Sequence, residues 1–177
     1  MRKLKNEELG RKSIAAFKAA PKLPLTVILD NIRSLNNVGA VFRTADAFRV
    51  KEIILCGITA TPPHRDIQKT ALGATESVAW RYEKNTLQAV TSLQEEGVHV
   101  WAVEQAEGAQ QLHHFSPQNN IQYAVILGHE VKGVAQAVVD AANGVLEIPQ
   151  EGTKHSLNVS VAAGVVLWDF FQKFKVT

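Results

Sequence analysis

The sequence predicts an α/β fold in which a mostly parallel sheet of six strands is covered by helices on both faces. Short runs rich in Val, Ile and Leu alternate with segments whose apolar residues recur every three or four positions, as in helices. The runs are apolar along their whole length, which is typical of strands buried on both faces of a parallel sheet. With 177 residues, of which 46% are hydrophobic, the chain is long enough for one such domain.

The predicted strands and helices alternate along the chain. Strands are predicted at 26–30, 51–56, 78–82, 98–103, 123–127 and 145–148, each a short apolar run beside polar or turn-forming residues. Helices are predicted at 38–48, 67–72, 87–96, 134–141 and 157–174. Asn85 and Gly97 bound the third of these helices, and the last one carries an apolar stripe from Val159 to Phe170. This alternation is what predicts a parallel sheet.

Residues 1–22 are predicted to form a basic helical extension ahead of the main domain at 23–177. Seven basic and two acidic residues give the extension a net charge of +5, against +2 for the whole chain. A helix is predicted at 6–20, ended by Pro21 and Pro24. The composition fits either an arm that binds a polyanion or a solvated helix face, and it leaves both interpretations open.

Composition argues against several classes of protein. Cys56 is the only cysteine, so neither an intrachain disulfide nor a cysteine metal cage is expected, and its apolar surroundings predict a buried strand residue. His113 and His114 lack partners at metal-ligand spacing, so no metal is expected. No apolar run is as long as a membrane span, and no signal-peptide core follows the first residues. The sequence therefore predicts a cytoplasmic protein with no membrane partner.

Three polar clusters, at 30–37, 128–133 and 149–158, each follow a predicted strand and precede a helix. The carboxyl ends of parallel strands meet at one edge of the sheet, where open α/β folds bind ligands. The clusters are therefore expected to form one site. Neither the phosphate-binding pattern Gly-x-x-x-x-Gly-Lys-Ser/Thr nor Gly-x-Gly-x-x-Gly occurs, which disfavours a nucleotide-binding oxidoreductase.

The three clusters resemble the sequence motifs of the SpoU/TrmH branch of the SPOUT methyltransferases. The first motif lies at 36–48, the second at 126–134, and the third comprises Ile148-Pro149 and 156–162. Their order and spacing match across residues 25–170. The family usually carries Asn at the position of His129, a difference that concerns a local hydrogen bond.

The resemblance implies an S-adenosylmethionine-dependent RNA ribose 2′-O-methyltransferase with a C-terminal trefoil knot from Tyr123 onward. It also implies a homodimer, held partly by the apolar face of the last helix with Trp168 and Phe171. Transfer RNA is the first expected substrate, because no large RNA-binding domain precedes Pro24, and ribosomal RNA is the second. A catalytically silent RNA-binding module on the same scaffold is the alternative of another class. The residues expected to contact the cofactor are Val103, Glu104, Leu127, Gly128, Ile148 and Leu157.

The same resemblance implies roles in catalysis. Arg43 matches the family's catalytic arginine, and it is expected to act as a base or, because a guanidinium keeps its proton, as a stabiliser of charge on the 2′-oxygen. Asn37, Glu130, Ser156 and Asn158 are expected to position the ribose and the cofactor. The structural alternatives are an ion pair between Arg43 and Asp46, and a helix cap at Asn37. The cations expected to contact RNA are Arg33, Arg2, Lys3, Lys5, Arg11 and Lys12.

Overall fold

Parallel strands form the framework of the structure, a computed structural model that describes residues 1–174 apart from the side chain of Asn6. In chain order the strands are β1 (Leu23–Asp30), β2 (Val50–Cys56), β3 (Ala79–Glu83), β4 (His99–Val103), β5 (Gln110–Gln111), β6 (Tyr123–Leu127) and β7 (Gly144–Glu147). They form a sheet in the order β3-β2-β1-β6-β4-β7-β5, and each neighbouring pair is parallel. The predicted parallel α/β fold is confirmed.

Helices cover both faces of this sheet, as predicted. They are α1 (Ile14–Ala19), α2 (Leu35–Ala47), α3 (Arg65–Ala71), α4 (Ala74–Ser77), α5 (Thr86–Glu95), α6 (Gln136–Ala141) and α7 (Val159–Lys173), with 3-10 turns at Asn6–Leu9 and Leu112–His114. On one face, Phe42 of α2 and Phe170 of α7 pack against Leu25 and Leu29 of β1. On the other face, Ile28 packs with α5 and α6. Within residues 1–174, no helix has both the length and the apolar character needed to cross a membrane.

The predicted number of six strands is wrong, because the sheet has seven within the described residues. The unpredicted strand is β5, whose residues Gln110 and Gln111 are exposed and pair with Leu146 and Glu147 of β7. A polar strand of two residues has neither the alternation nor the apolar run on which strand prediction depends. The six predicted strands all occur, with ends shifted by up to three residues.

The single helix predicted at 6–20 is also wrong. The chain leaves the 3-10 turn at Gly10, where φ is +58°, and α1 begins only after Ser13. The hydroxyl oxygen of Ser13 caps α1 by accepting the N–H of Ala16 at 3.2 Å. Phe17 is buried, whereas residues 1–5 and 7–16 are exposed, so the basic extension is attached to the domain through α1. The last three residues of the predicted domain, 175–177, lie outside the described part of the chain.

The register of the strands places the three polar loops at one edge of the sheet. Leu29 of β1 lies opposite Leu127 of β6, so the loops that begin at residues 30 and 128 are neighbours. In the same way, Val103 of β4 lies opposite Leu146 of β7. The loops that follow β4 and β7 therefore leave the sheet side by side, and the predicted convergence of the polar clusters is confirmed.

Cys56, at the end of β2, is buried as predicted. Burial raises the pKa of its thiol to about 12, and the hydrogen bond with Thr86 offsets only part of this effect. The thiolate is the nucleophilic form of cysteine, so this side chain is inert near neutral pH.

Candidate active site

The carboxylate of Glu130 joins the loop after β6 to the loop after β1. Its Oε2 accepts the backbone N–H of Arg33 at 3.1 Å, and its Oε1 accepts the backbone N–H of Ser34 at 3.0 Å. Oε1 also accepts the side-chain amide of Asn37, which lies 3.2 Å away in the first turn of α2. One carboxylate therefore fixes the shape of the turn that leads into α2.

Asn158 brings the third polar loop to the same point. Its Nδ2 donates to Oδ1 of Asn37 at 3.2 Å. Its own Oδ1 accepts the backbone N–H of Ser160 at 2.9 Å and the Ser160 hydroxyl at 2.6 Å, which caps the start of α7. Glu130, Asn37 and Asn158 thus form a continuous chain of hydrogen bonds that links all three predicted motifs.

The interpretation of Asn37 as a helix cap is wrong. Helix α2 begins at Leu35 rather than at residue 38, and the residue that caps it is Ser34, whose hydroxyl accepts the N–H of Asn37 at 3.3 Å. The side chain of Asn37 is consequently free to connect Glu130 with Asn158. Sequence reasoning missed Ser34, although Ser three residues before Asn37 is an ordinary capping signal.

Glu130 is held in its ionised form. Burial alone would raise its pKa, but the hydrogen bonds donated by the backbone of Arg33 and Ser34 and by Asn37 outweigh burial and lower the pKa below its ordinary value. A carboxylate in this state accepts hydrogen bonds and attracts positive charge. It does not carry a proton that it could give to a substrate near neutral pH.

A cavity of about 600 Å³ lies beside this chain of hydrogen bonds, at the carboxyl ends of β4, β6 and β7. Glu130, Ser156 and Asn158 line its wall. The six residues predicted to contact a cofactor all line it too, namely Val103, Glu104, Leu127, Gly128, Ile148 and Leu157. The volume lies in the range of cavities that bury a small ligand, which is roughly 300–1,000 Å³.

Backbone packing around Gly128 and Glu104 sets the shape of the cavity floor. A Cβ atom at Gly128 would lie 2.3 Å from the carbonyl carbon of Gly133 and from the nitrogen of Val134, so only glycine fits there. Oε2 of Glu104 accepts the N–H of Val134 at 3.0 Å. The carboxylate of Glu104 therefore holds the loop after β6 in place as well as lining the cavity.

Gln105 and His155 are cavity residues that sequence reasoning missed. The side-chain amide of Gln105 donates to the backbone carbonyl oxygen of His155 at 2.6 Å, which ties the loop after β4 to the loop after β7. A lone glutamine in a loop belongs to no motif, and its partner is a backbone atom, so the sequence carries no signal for this contact.

His129 shapes the turn that follows Gly128. Its Nδ1 accepts the backbone N–H groups of Val131 at 3.0 Å and of Lys132 at 3.3 Å. An asparagine side-chain oxygen can make the same local contacts, as in an Asx turn. The difference from the usual family residue therefore preserves the function of the side chain as an acceptor.

Arg43 is not among the residues that line this cavity. It is exposed and lines a separate groove of about 520 Å³ between α2 and the N-terminal extension, and the groove and the cavity share no lining residue. The predicted alternative, an ion pair with Asp46, is absent from the described residues, and Asp46 instead accepts a hydrogen bond from Ser77. Arg11, Lys12 and Arg49 line the groove with Arg43, against the carboxylates of Asp46 and Glu76.

Residues 24–168, which are 145 of the 177, match the model of the SpoU rRNA Methylase family. The chain belongs to this family. The match begins at β1 and ends inside α7, so it covers the sheet and all three polar loops but leaves out the basic extension.

Individual known proteins and solved structures resemble the chain over most of its length. The 23S rRNA (guanosine-2′-O-)-methyltransferase RlmB of Vibrio parahaemolyticus is 30% identical over 164 residues, which are 92% of this chain and 65% of that protein. An AdoMet-bound rRNA methyltransferase from Sinorhizobium meliloti has a TM-score of 0.77 at 25% identity, covering 86% of this chain and 60% of the other. The TrmH/SpoU tRNA modifying enzyme from A. aeolicus has a TM-score of 0.79 at 23% identity, covering 90% of this chain and 79% of the other. The chain thus spans just under two thirds of the RlmB relative.

The other cations predicted to contact RNA lie on the surface of this SpoU family member. Arg2 forms a forked ion pair with Glu8, with Nη2 2.6 Å from Oε1 and Nη1 2.9 Å from Oε2. Lys3, Lys5 and Arg33 are exposed, and Arg11 and Lys12 line the groove beside Arg43. Among residues 1–174, no group of three His, Cys, Asp or Glu side chains is arranged to hold a metal ion.

Proposed function

We propose that this chain is an S-adenosylmethionine-dependent methyltransferase that modifies a ribose 2′-hydroxyl of RNA. The observation that carries the proposal is the chain of hydrogen bonds from Glu130 through Asn37 to Asn158 at the wall of the 600 Å³ cavity. Membership of the SpoU family and the likeness to an AdoMet-bound relative support the same reaction.

The cavity residues fit this cofactor chemically. Leu127, Ile148 and Leu157 offer apolar contacts, and the loops around them offer backbone groups for the adenine edge. The ionised carboxylate of Glu130 favours a ligand with positive charge. S-Adenosylmethionine, when bound, would supply a methyl group for an in-line displacement, in which the O–CH3 bond forms as the S–CH3 bond breaks, the sulfur leaves as a neutral thioether and the hydroxyl proton is lost to solvent. The contribution of the protein is to align that oxygen and to stabilise its developing negative charge.

Arg43 is proposed to stabilise that charge and to hold a neighbouring phosphate. A guanidinium keeps its proton in proteins, so stabilisation of the oxygen suits Arg43 better than proton removal. The groove around Arg43 contains four cations and two carboxylates, an excess of positive charge that suits an RNA backbone. Because Arg11 and Lys12 line this groove, the basic extension is proposed to contact the same RNA backbone as Arg43.

A homodimer is proposed to bring Arg43 to a cavity, because Arg43 does not reach the cavity of its own subunit. Val161, Val165 and Trp168 of α7 are 52%, 40% and 50% exposed at a spacing that puts them on one helix face. Trp168 and Phe171 extend this face by packing against Phe48. The ring centroids are 5.6 Å apart for Trp168 and Phe48 and 5.3 Å apart for Phe171 and Phe48. We propose that a second subunit covers this apolar face and thereby brings the Arg43 groove of one subunit to the cavity of the other.

Ribosomal RNA is the leading candidate substrate. The sequence alone put transfer RNA first, but the RlmB relative is named a 23S rRNA methyltransferase, and the S. meliloti structure is named an rRNA methyltransferase. Transfer RNA stays as the second candidate because of the A. aeolicus enzyme. The C-terminal trefoil knot, which rests on the family resemblance, and the cytoplasmic location, which rests on the composition of the sequence, remain parts of the proposal.

The decisive experiment incubates the purified protein with methyl-labelled S-adenosylmethionine and with separated ribosomal and transfer RNA. The proposal predicts label in one RNA fraction, at a nucleotide whose 3′-phosphodiester bond resists alkaline hydrolysis because its 2′-hydroxyl is methylated. Cofactor binding without transfer to any RNA would support the silent RNA-binding module instead. Failure to bind the cofactor at all would overturn the proposed reaction.

A further inference from the structure

Two exposed apolar side chains lie at the carboxyl ends of the strands that the active site does not use. Ile58, in the turn after β2, is 64% exposed, and Tyr82, near the end of β3, is 47% exposed. The Tyr82 hydroxyl donates to the backbone carbonyl oxygen of Gly57 at 3.0 Å, so the ring lies against the turn that carries Ile58. We refer to Ile58 and Tyr82 together as the β2–β3 platform.

The platform is fastened to the loop after β1 by side-chain hydrogen bonds. Oδ1 of Asn31 accepts the N–H of Ile58 at 3.1 Å. The buried hydroxyl of Thr59 accepts the N–H of Ile32 at 2.9 Å and donates to the carbonyl oxygen of Leu29 at 2.9 Å. The turn that presents Ile58 to solvent is therefore held in a fixed position.

The platform continues directly into the candidate active site. Asn31, which binds the turn of Ile58, is two residues before Arg33, whose backbone N–H binds Glu130. Strands β3, β2, β1 and β6 are consecutive neighbours in the sheet. At about 4.8 Å between strands, the end of β3 lies about 14 Å from the end of β6. At the ~3.4 Å rise between stacked bases this distance spans about four nucleotides, and fewer in an unstacked strand, so a base on Tyr82 would belong to a nucleotide a few positions from the target.

The charges beside the platform favour a polyanion. Arg33 and Lys84, each two residues from a platform contact, are exposed cations. The nearby carboxylates are engaged, since Glu83 pairs with Arg81 at 2.5 Å and buried Asp30 accepts hydrogen bonds from Asn31 and Thr86. An exposed aromatic ring flanked by cations is how proteins bind unpaired bases, whereas two apolar side chains are too few for a protein interface.

We propose that the β2–β3 platform stacks an unpaired base a few nucleotides from the target nucleotide and so helps to select the RNA. This inference rests on the proposed methyltransferase function, which it extends by a substrate-binding surface. Tyr82 supplies the ring face, Ile58 supports the edge of the base, and Arg33 and Lys84 contact the backbone phosphates on either side.

The test compares Tyr82→Leu with Tyr82→Phe in steady-state methylation of an RNA that the wild-type protein modifies. Leu removes the ring, while Phe keeps the ring and loses only the hydroxyl, so Phe is the matched control. Tyr82→Leu is expected to raise the KM for RNA about tenfold or more and to leave kcat and the Kd for S-adenosylmethionine unchanged. The KM of Tyr82→Phe is expected to stay close to the wild-type value. Ile58→Ser is expected to raise the KM for RNA, as Tyr82→Leu does.

RNA substrates with single abasic nucleotides at successive positions around the target identify the stacked base. At one position the abasic change should weaken wild-type binding and have no added effect in Tyr82→Leu. An unchanged KM for Tyr82→Leu, or equal losses for Leu and Phe, would overturn the platform while leaving the methyltransferase proposal intact. A wild-type protein that methylates no RNA would overturn both.

Discussion

The side-chain amide of Asn158 donates a hydrogen bond to the side-chain carbonyl oxygen of Asn37 across 3.2 Å, although the two residues are 121 positions apart in the chain. Asn37 donates in turn to Glu130. The bond joins the start of α7 to the first turn of α2, so each helix helps to position the other at the mouth of the cavity. A substitution that displaces one of the three loops should therefore also displace the other two.

Glu130→Gln should impair both the stability of the protein and its methyl transfer. The carboxylate accepts three hydrogen bonds, and a glutamine amide would point N–H groups at one of the donors. The loss of one such contact costs about 1–3 kcal/mol in the free energy of unfolding. Chemical denaturation measures the stability, and Glu151→Gln, an exposed carboxylate of the loop after β7, is the matched control. Equal stability of the two variants would contradict this function of Glu130.

The contribution of Glu130 should also depend on pH. Its pKa in the folded protein lies below the ordinary value of 4.5, so its stabilising effect is complete above that value. The effect is lost as the pH falls through the lower folded pKa, because protonation removes an acceptor. The stability difference between the wild type and Glu130→Gln should thus be constant at about pH 6 to 8, where this group binds no proton in either the folded or the unfolded state, and should shrink at more acidic pH. A difference that grows on acidification would contradict this prediction.

Gly128→Ala should weaken cofactor binding by displacing the loop at 133–134. The added Cβ would lie 2.3 Å from two backbone atoms, which must move because they are not the ends of flexible side chains. Calorimetric titration with S-adenosylmethionine measures the affinity, for which we expect a loss of about tenfold or more. Gly152→Ala is the control, since its Cβ would meet no atom within 4 Å. Wild-type affinity in Gly128→Ala would show that the loop is not part of the binding site.

Arg43→Ala should abolish methyl transfer while cofactor affinity stays near the wild-type value, because Arg43 is proposed to act on the 2′-oxygen and a phosphate of the RNA and is not among the residues that line the cavity in one chain. If Arg43 serves the partner's cavity, co-expression with Asn158→Ala should restore activity through mixed dimers that contain one intact site. Random pairing gives about one quarter of the wild-type activity. Mixed dimers without activity would place the function of Arg43 within its own subunit, and an active monomer in sedimentation would contradict the dimer.

His129→Asn should retain cofactor affinity, whereas His129→Ala should lower it several-fold. Nδ1 of His129 accepts two backbone N–H groups, and an asparagine oxygen can take its place. In the alanine variant both donors lose their partner, at a cost of about 0.5–1.5 kcal/mol for each bond. Affinity for S-adenosylmethionine in the two variants checks this, and equal values for Asn and Ala would argue against a structural function of the imidazole.

Removal of residues 1–12 should weaken RNA binding and flatten its dependence on salt. The deletion removes five basic residues and leaves Ser13 to cap α1, with Phe17 still buried. Each lost phosphate contact reduces the slope of log K against log salt by about 0.7–0.9. Binding measured at several salt concentrations tests this, and an unchanged slope would indicate that the extension makes no phosphate contacts.

The sheet and the position of the site could be predicted from the sequence because both depend on apolar strands followed by polar loops. The break at Gly10 and the strand at Gln110–Gln111 could not, since a left-handed glycine and a two-residue polar strand leave no periodic pattern. Contacts that end on backbone atoms, such as the one between Gln105 and His155, are likewise invisible in the sequence.

The separation of Arg43 from Asn37, by contrast, could have been predicted. Six residues along a helix turn the side-chain direction by about 600°, which leaves the two side chains about 120° apart. Both residues lie in α2, so their side chains leave this helix in different directions. This difference in direction disfavours a single site, formed by one chain, that holds both side chains. Arg43 accordingly lines the second groove.

The carboxylate of Glu130 binds the main chain of Arg33 and Ser34, not their side chains. A backbone N–H is the same whichever amino acid supplies it, proline excepted. Under the proposed function, in which the side chain of Arg33 contacts RNA, a substitution at residue 33 would alter the RNA contact while the backbone hydrogen bond to Glu130 stays intact. Substrate choice and the architecture of the cavity would then depend on different atoms of one residue.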